Sequence, residues 1–277
     1  MRDLPQTSDI RLDLRGPVLH LWLHRPELRN AVSPQMVEEI LASFAAIVDD
    51  RSVRVVVLRG TGGTFCAGGD IKSMSLAGSA PSTGEPDELK ANNRRFGAML
   101  ESVNAAPQAV IAAVEGYAIG GGFGLACVAD ITLATADAKF AMTEVTIGVV
   151  PAAISPFVVQ RVGLTPARRL AVSGARLSAA EACGIGIAHL VVADAAALET
   201  VVRETSNQIL KCAPGAVAAT KRLMLRAAGA SSQPNSLPQL LDDAAECFAA
   251  AVRSPEGREG TKAFVEKRKP SWVVQAE

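Results

Sequence analysis

Histidine is scarce in this chain of 277 residues: only His20, His24 and His189 occur, so a catalytic histidine or a His-rich metal site must draw on one of them. Cysteine is odd in number and scattered, at Cys66, Cys127, Cys183, Cys212 and Cys247, with no C-x-x-C spacing. That pattern argues against a disulfide framework and a zinc site and for reduced, buried thiols. An excess of either charge is missing too, with 28 Lys and Arg against 28 Asp and Glu. No basic field exists to hold a phosphate backbone or an anionic lipid surface, so neither a nucleic acid nor a membrane is an expected partner. Asp, Arg and Lys interrupt every apolar run before it could span a bilayer. The opening MRDLPQTSDIRLDL has acidic residues and no apolar stretch of the secretory kind, which makes the cytoplasm the expected compartment. Nucleotide and hydrolase signatures are absent as well. GTGGTF and GYAIGGGFG both fail the G-x-G-x-x-G spacing, and neither a G-x-x-x-x-G-K-[ST] loop nor a G-x-S-x-G elbow occurs.

What is present is a chain 49% apolar and 20% charged, which excludes disorder. Its length suits two average domains or one large α/β unit with an appendage. IRLDLR and VLHLWL alternate on either side of Gly16-Pro17 and predict a hairpin over 10–23. Ser33-Pro34 supplies an N-cap followed by proline at the first helical position, predicting a helix to about Val48. VRVVVL (53–58) and residues 110–114 are short apolar runs suited to strands buried on both faces, and each leads into glycines. After the second, a helix is expected from Gly121 to Ala129, then a strand over 131–134. Residues 77–87 read as a mobile loop, followed by a helix to about Asn104. Ser178 and Glu181 form a capping box, and Ser254-Pro255 starts the last helix. Helices dominate from residue 195, predicting a core over 1–194 and a helical part over 195–277 whose apolar faces need a partner.

Glycine after a buried strand lets bare backbone N–H groups face a cavity, and a helix N-terminus adds its positive dipole end. Two such amides converging on one point would make an oxyanion hole. A tight turn is the plainer use of the same glycines, and pattern alone leaves both open.

FCAGGDIK (65–72), GYAIGGG (116–122), the Asp130-Ile131 that follows and AFVEKRKP (263–270) resemble the enoyl-CoA hydratase/isomerase, or crotonase, superfamily over nearly the whole chain. The resemblance implies an α/β fold built as a spiral of ββα repeats, with a C-terminal helical trimerisation region and a homotrimer or dimer of trimers. It implies an acyl-CoA thioester substrate and no cofactor beyond the coenzyme A carried by that substrate. It implies that the amides of Ala67 and Gly121 hold the thioester oxygen. Arg25, Leu28, Arg29 and Ala31 of the RPE-x-RNA segment, with Cys66, Gly68, Asp70, Ile71 and Gly120 of the glycine turns, would line the substrate and coenzyme A site. Phe264 would pack on adenine and Lys267 would make an ionic contact.

The family's hydratases place one glutamate two residues after the glycine triplet, and here that position is Gly124. The other matches Glu144 in FAMTEVTIG. One glutamate therefore remains as general acid/base, and Gly124 is expected to free volume for the acyl chain. VPAAISPFVVQRVG (150–163), with GGGFGLACVAD, CAPGAVAATK and AFVEKRKPSW, is similar to a bacterial subgroup that hydrates branched glutaconyl-CoA esters, the isohexenylglutaconyl-CoA and methylglutaconyl-CoA hydratases. Plain enoyl-CoA hydratases carry P-G-x-G-G-T-Q-R at that place. A double-bond isomerase using Glu144 alone is the alternative, and a non-catalytic acyl-CoA or RNA-binding protein is a second. His24, Glu115 and Cys66 read as structural, and Asp70 as a helix cap holding the turn.

Overall fold

The computed structural model describes residues 4–70, 87–229 and 236–276. Strands β1 (Ile10–Arg15) and β2 (Val18–Leu23) form the expected hairpin, with Gly16 at φ +51° in its turn. Ser33 caps α1 (Pro34–Ile47), its hydroxyl accepting from the Met36 amide at 2.9 Å. β3 (Val55–Gly60) comes next; then α2 (Glu88–Ala105), β4 (Ala109–Val114), β5 (Tyr117–Ile119), α3 (Gly121–Val128), β6 (Ile131–Thr135) and β7 (Lys139–Ala141). The second half holds α4 (Ser155–Val162), α5 (Leu164–Ser173), β8 (Arg176–Ser178), α6 (Ala179–Gly184), β9 (Leu190–Val192), α7 (Ala195–Ile209), α8 (Pro214–Ala227), α9 (Leu237–Arg253) and α10 (Pro255–Val265). The Ser178–Glu181 capping box forms as read. Residues 77–86 of the expected mobile loop lie outside the described residues.

The main sheet has the order β1-β2-β3-β4-β6-β9, antiparallel only at the hairpin. Its centre is buried on both faces, which is why VVVLRG and AVIAAV are continuous and do not alternate. Val56, Leu58, Val110 and Ala112 point into the larger core with Met36, Ile40, Phe44, Leu100 and Val103 of α1 and α2. Val55, Val57, Ile111 and Leu133 point the other way, against Leu198 and Val202 of α7. Residue 194 caps α7, so the chain passes from the last strand straight to the helix that closes this second face. A small second sheet, β5-β7-β8, escapes sequence patterning because its strands have three residues each.

Candidate active site

The first glycine turn is pinned from both sides. The Cys66 amide donates to the Tyr117 carbonyl at 2.7 Å, and the Cys66 carbonyl accepts from the Ile119 amide at 2.9 Å. Across the turn, the Val32 amide donates to the Gly68 carbonyl at 2.8 Å and the Asp70 amide to the Val32 carbonyl at 3.0 Å. Peptide groups alternate in direction along an extended chain. Residues 68 and 70 therefore face Val32, and the Gly69 N–H faces the opposite side, with no backbone acceptor among the described residues.

This corrects the reading of Ala67. Its amide donates to the Arg29 carbonyl at 3.0 Å and is not available to a ligand. The Gly68 and Gly69 amides have no backbone acceptor among the described residues, and the one directed away from Val32 is that of Gly69, a residue the sequence reading passed over. Gly68, at φ +114°, is the hinge that turns the chain between Ala67 and Gly69.

In the second turn the helix starts where the sequence predicts, at Gly121. Gly120 adopts φ +52° and gives its amide to the Ala141 carbonyl at 2.9 Å, and Gly121 then opens α3. First-turn amides have no intrahelical acceptor, so the Gly121 N–H is open at the positive end of the helix. Gly122 is glycine for packing: a Cβ there would stand 2.6 Å from the Cys66 Cβ. The close approach joins the two turns. A Cβ on Gly121 would lie 3.6 Å from the Val32 side chain, and Val32 is the residue bridged to Gly69.

Glu144 begins a short 3-10 turn, Glu144–Ile147, and its Oε1 would lie 3.2 Å from a Cβ on Gly120. Its Oε2 is buried and has no hydrogen-bond partner. Burial pushes the Glu144 carboxyl above its ordinary value, opposed in part by a bond to its own backbone. A half-buried acid with an unpartnered oxygen, beside glycines that carry open amides, is suited to exchanging protons with a bound molecule.

Gly124 requires a second correction. The volume above it is not free: a Cβ there would overlap the Ile154 Cγ2 and stand 3.1 Å from the Ile154 Cβ and 3.5 Å from the Leu100 Cδ1. Ile154 is buried and belongs to the PAAISPF segment, thirty residues downstream. Only the fold brings the two together.

The segment with Leu28 is a 3-10 turn, Pro26–Leu28, with Arg29 and Asn30 both left-handed at φ 51° and 57°. Of the two arginines considered for phosphate, Arg25 is engaged internally, donating to the Ala31 carbonyl at 2.8 Å and to Asp70 at 3.1 Å. Arg29 is exposed. Asp70 is thus the partner of Arg25, while Ile71 and the helix Asp70 would cap lie outside the described residues. Asn30 was missed by sequence reading. Fully buried, it donates to the Thr61 and Thr64 carbonyls at 2.9 and 2.6 Å and accepts from the Arg25 amide at 2.9 Å, tying this loop to the first glycine turn. His24 hydrogen-bonds Thr61 Oγ1 at 3.1 Å, in keeping with its structural reading. Burial pushes the Cys66 thiol up to about 11, which keeps it protonated. Phe264 and Lys267, at the end of α10, are exposed, and no hydrogen bond or ion pair of the described residues joins them to the glycine turns. Among the described residues no group of three or more metal-ligating side chains occurs, and no helix is long and apolar enough to cross a membrane.

The family model for enoyl-CoA hydratase/isomerase matches residues 14–275. The chain is 34% identical over 269 residues to carnitinyl-CoA dehydratase of Proteus mirabilis strain HI4320, covering 96% of this chain and 98% of that protein. Among solved structures, Pseudomonas aeruginosa AtuE superposes with a TM-score of 0.90 at 50% identity, over 96% of this chain and 100% of its own. An enoyl-CoA hydratase/isomerase from Marinobacter aquaeolei gives a TM-score of 0.90 at 48% identity, over 96% and 99%.

Proposed function

Because the chain belongs to the enoyl-CoA hydratase/isomerase family, an enzyme family, we propose that it adds water across the α,β double bond of a 3-branched glutaconyl-type CoA thioester, such as an isohexenylglutaconyl or methylglutaconyl ester. A hydratase-type activity is supported by its relatives; the branched acyl group is our own reading. The observation that carries it is the half-buried Glu144 carboxyl, its Oε2 buried without a hydrogen-bond partner, against Gly120, where α3 begins.

Negative charge develops on the thioester oxygen as the enolate forms, and the Gly69 and Gly121 amides stabilise it because they are fixed beforehand. Glu144 takes a proton from water as the hydroxyl bonds the β-carbon, and returns a proton to the α-carbon. No metal or redox cofactor is needed in this scheme, because the thioester acidifies the α-carbon. The PAAISPFVV segment, where plain hydratases carry glycines, supports a reshaped acyl wall. We further propose the ββα spiral arrangement, a cytoplasmic location, and a homotrimer or dimer of trimers that covers the C-terminal helices. Coenzyme A would then meet Arg29, Leu28 and Ala31, with Phe264 and Lys267 contributing from the last helix.

Loss of the conjugated enoyl absorbance on crotonyl, methylglutaconyl and isohexenylglutaconyl esters tests the reading. Turnover greatest on a branched ester is expected. Hydration of crotonyl-CoA alone would remove the branched assignment, and double-bond migration without water uptake would favour the isomerase, for which one carboxylate also suffices.

A further inference from the structure

Glu144 and Ile154 are neighbours along one face of α3. Gly120 caps the helix and Gly124 follows four residues later, a spacing that puts two positions on the same face about 5–6 Å apart. The Glu144 carboxylate lies against the first position and the Ile154 side chain fills the second. Ile154 cannot readily give way. It stands at the N-cap of α4 between Pro151 and Pro156, its carbonyl accepts from the Val158 amide at 3.0 Å, and its side chain is buried near Leu100.

We propose that Ile154 is a positioning residue for the reaction: it forbids any side chain at position 124 and forms the apolar wall beside Glu144, so that one carboxylate both takes and returns the proton. The inference rests on the proposed hydration. The proton balance closes on Glu144 alone. As the water oxygen bonds the β-carbon, its proton passes to the carboxylate and the π electrons move onto the thioester oxygen. Collapse of the enolate draws that proton to the α-carbon and regenerates the carboxylate. The charged side chains on the helices packed against α3 are engaged elsewhere: Arg161 of α4 donates to the Ala129 and Ile187 carbonyls, and Arg94 and Arg95 of α2 pair with Glu101 and Glu38. α3 carries no Asp, Glu, Lys or Arg, and its Cys127 thiol is pushed up to about 12 by burial. The first glycine turn offers the protonated Cys66, with Asp70 turned to Arg25. Arg168 and Arg169 of α5, the helix against the Glu144 turn, are exposed. Burial is the cause that raises the Glu144 carboxyl, consistent with an apolar wall.

The test compares wild type with Gly124→Ala, Ile154→Ala and the double variant, reading kcat/KM for hydration against pH together with Tm. Gly124→Ala should lose about tenfold or more through overpacking, and the double variant should recover to within about threefold of Ile154→Ala. Ile154→Ala alone should move the acid limb of the profile to lower pH as water reaches Glu144. An active Gly124→Ala, purely additive losses, or an unmoved acid limb would overturn the proposal. If Gly124→Ala does not fold, recovery of folding in the double variant supports the coupling and its absence refutes it. A wild type that hydrates none of the esters defeats the proposed function instead, and the four Tm values still decide whether Ile154 keeps position 124 bare.

Discussion

Strands β3 and β4 bury every one of their residues, whereas α8 and α9 bury none of their described residues and α10 buries only Ala263. The strands complete their packing within the chain, with α1 and α2 on one face and α7 on the other. Polar ties are among the contacts that hold the C-terminal helices. Lys221 of α8 donates to Asp130 at 2.7 Å and to the Gln108 carbonyl at 3.2 Å. The Glu256 carboxylate accepts from the Gly215 amide at 3.0 Å, and Arg54 donates to the Trp272 carbonyl at 2.7 Å. Meanwhile Phe248 is 71% and Phe264 86% exposed, with Met224, Leu237, Leu241 and Val265 also in solvent. The same apolar chemistry thus closes a core in one region and leaves an uncovered face in the other. The fixed amides belong to the first region, and the assembly we propose would draw on the second.

The largest effect expected is on the closed region. Glu144→Gln should cut turnover by about a hundredfold or more while leaving CoA-ester affinity largely intact, as steady-state and binding measurements would show. A variant keeping about a tenth of wild-type turnover would refute the acid/base role. The same substitution carries a stability signature. The folded carboxyl is raised above its ordinary value of 4.5, so its favourable contribution is complete below that pH and is lost as pH rises through the folded value. Glu144→Gln should therefore raise Tm relative to wild type at neutral pH, with the gain vanishing in acid.

Next comes the tie between the regions. Lys221→Met removes a buried ammonium, whose pKa burial lowers and Asp130 partly restores. Because Asp130 is partly exposed, the cost should be about 2 kcal/mol, below that of a fully buried pair, and denaturant unfolding would read it. An unchanged midpoint would mean that α8 is held by other contacts. Phe248→Asp should shift the sedimenting species toward monomer with little change in the far-UV spectrum. Retention of the wild-type oligomer would place the interface away from α9. Smallest is Phe264→Ala, expected to raise KM for CoA esters about threefold with kcat unchanged, as the loss of one stacking contact would. An unchanged KM would remove Phe264 from the coenzyme A site.

Local chemistry was legible wherever a residue acts on its own backbone. Ser33 and Ser178 cap helices because their hydroxyls reach amides three residues on, and Gly16 turns the hairpin because φ +51° suits glycine. Glu144 could be singled out from its surrounding string, but that one of its oxygens is buried and unpartnered could not. Asn30 looked like an ordinary loop asparagine, since both carbonyls it bonds lie more than thirty residues away.

Sequence by itself determined the doubly buried strands and the glycine turns that follow them, through side-chain polarity and backbone freedom at glycine, while the family resemblance singled out Glu144 as the one candidate glutamate. Tertiary structure decided which amide of FCAGGD stays open. N–H direction alternates residue by residue, and the Arg29 carbonyl, supplied by a distant loop, takes that of Ala67 and leaves Gly69 free. It also decided what occupies the space above Gly124. An absent side chain leaves room only until the packed interior fills it, and here Ile154, from another element, does so.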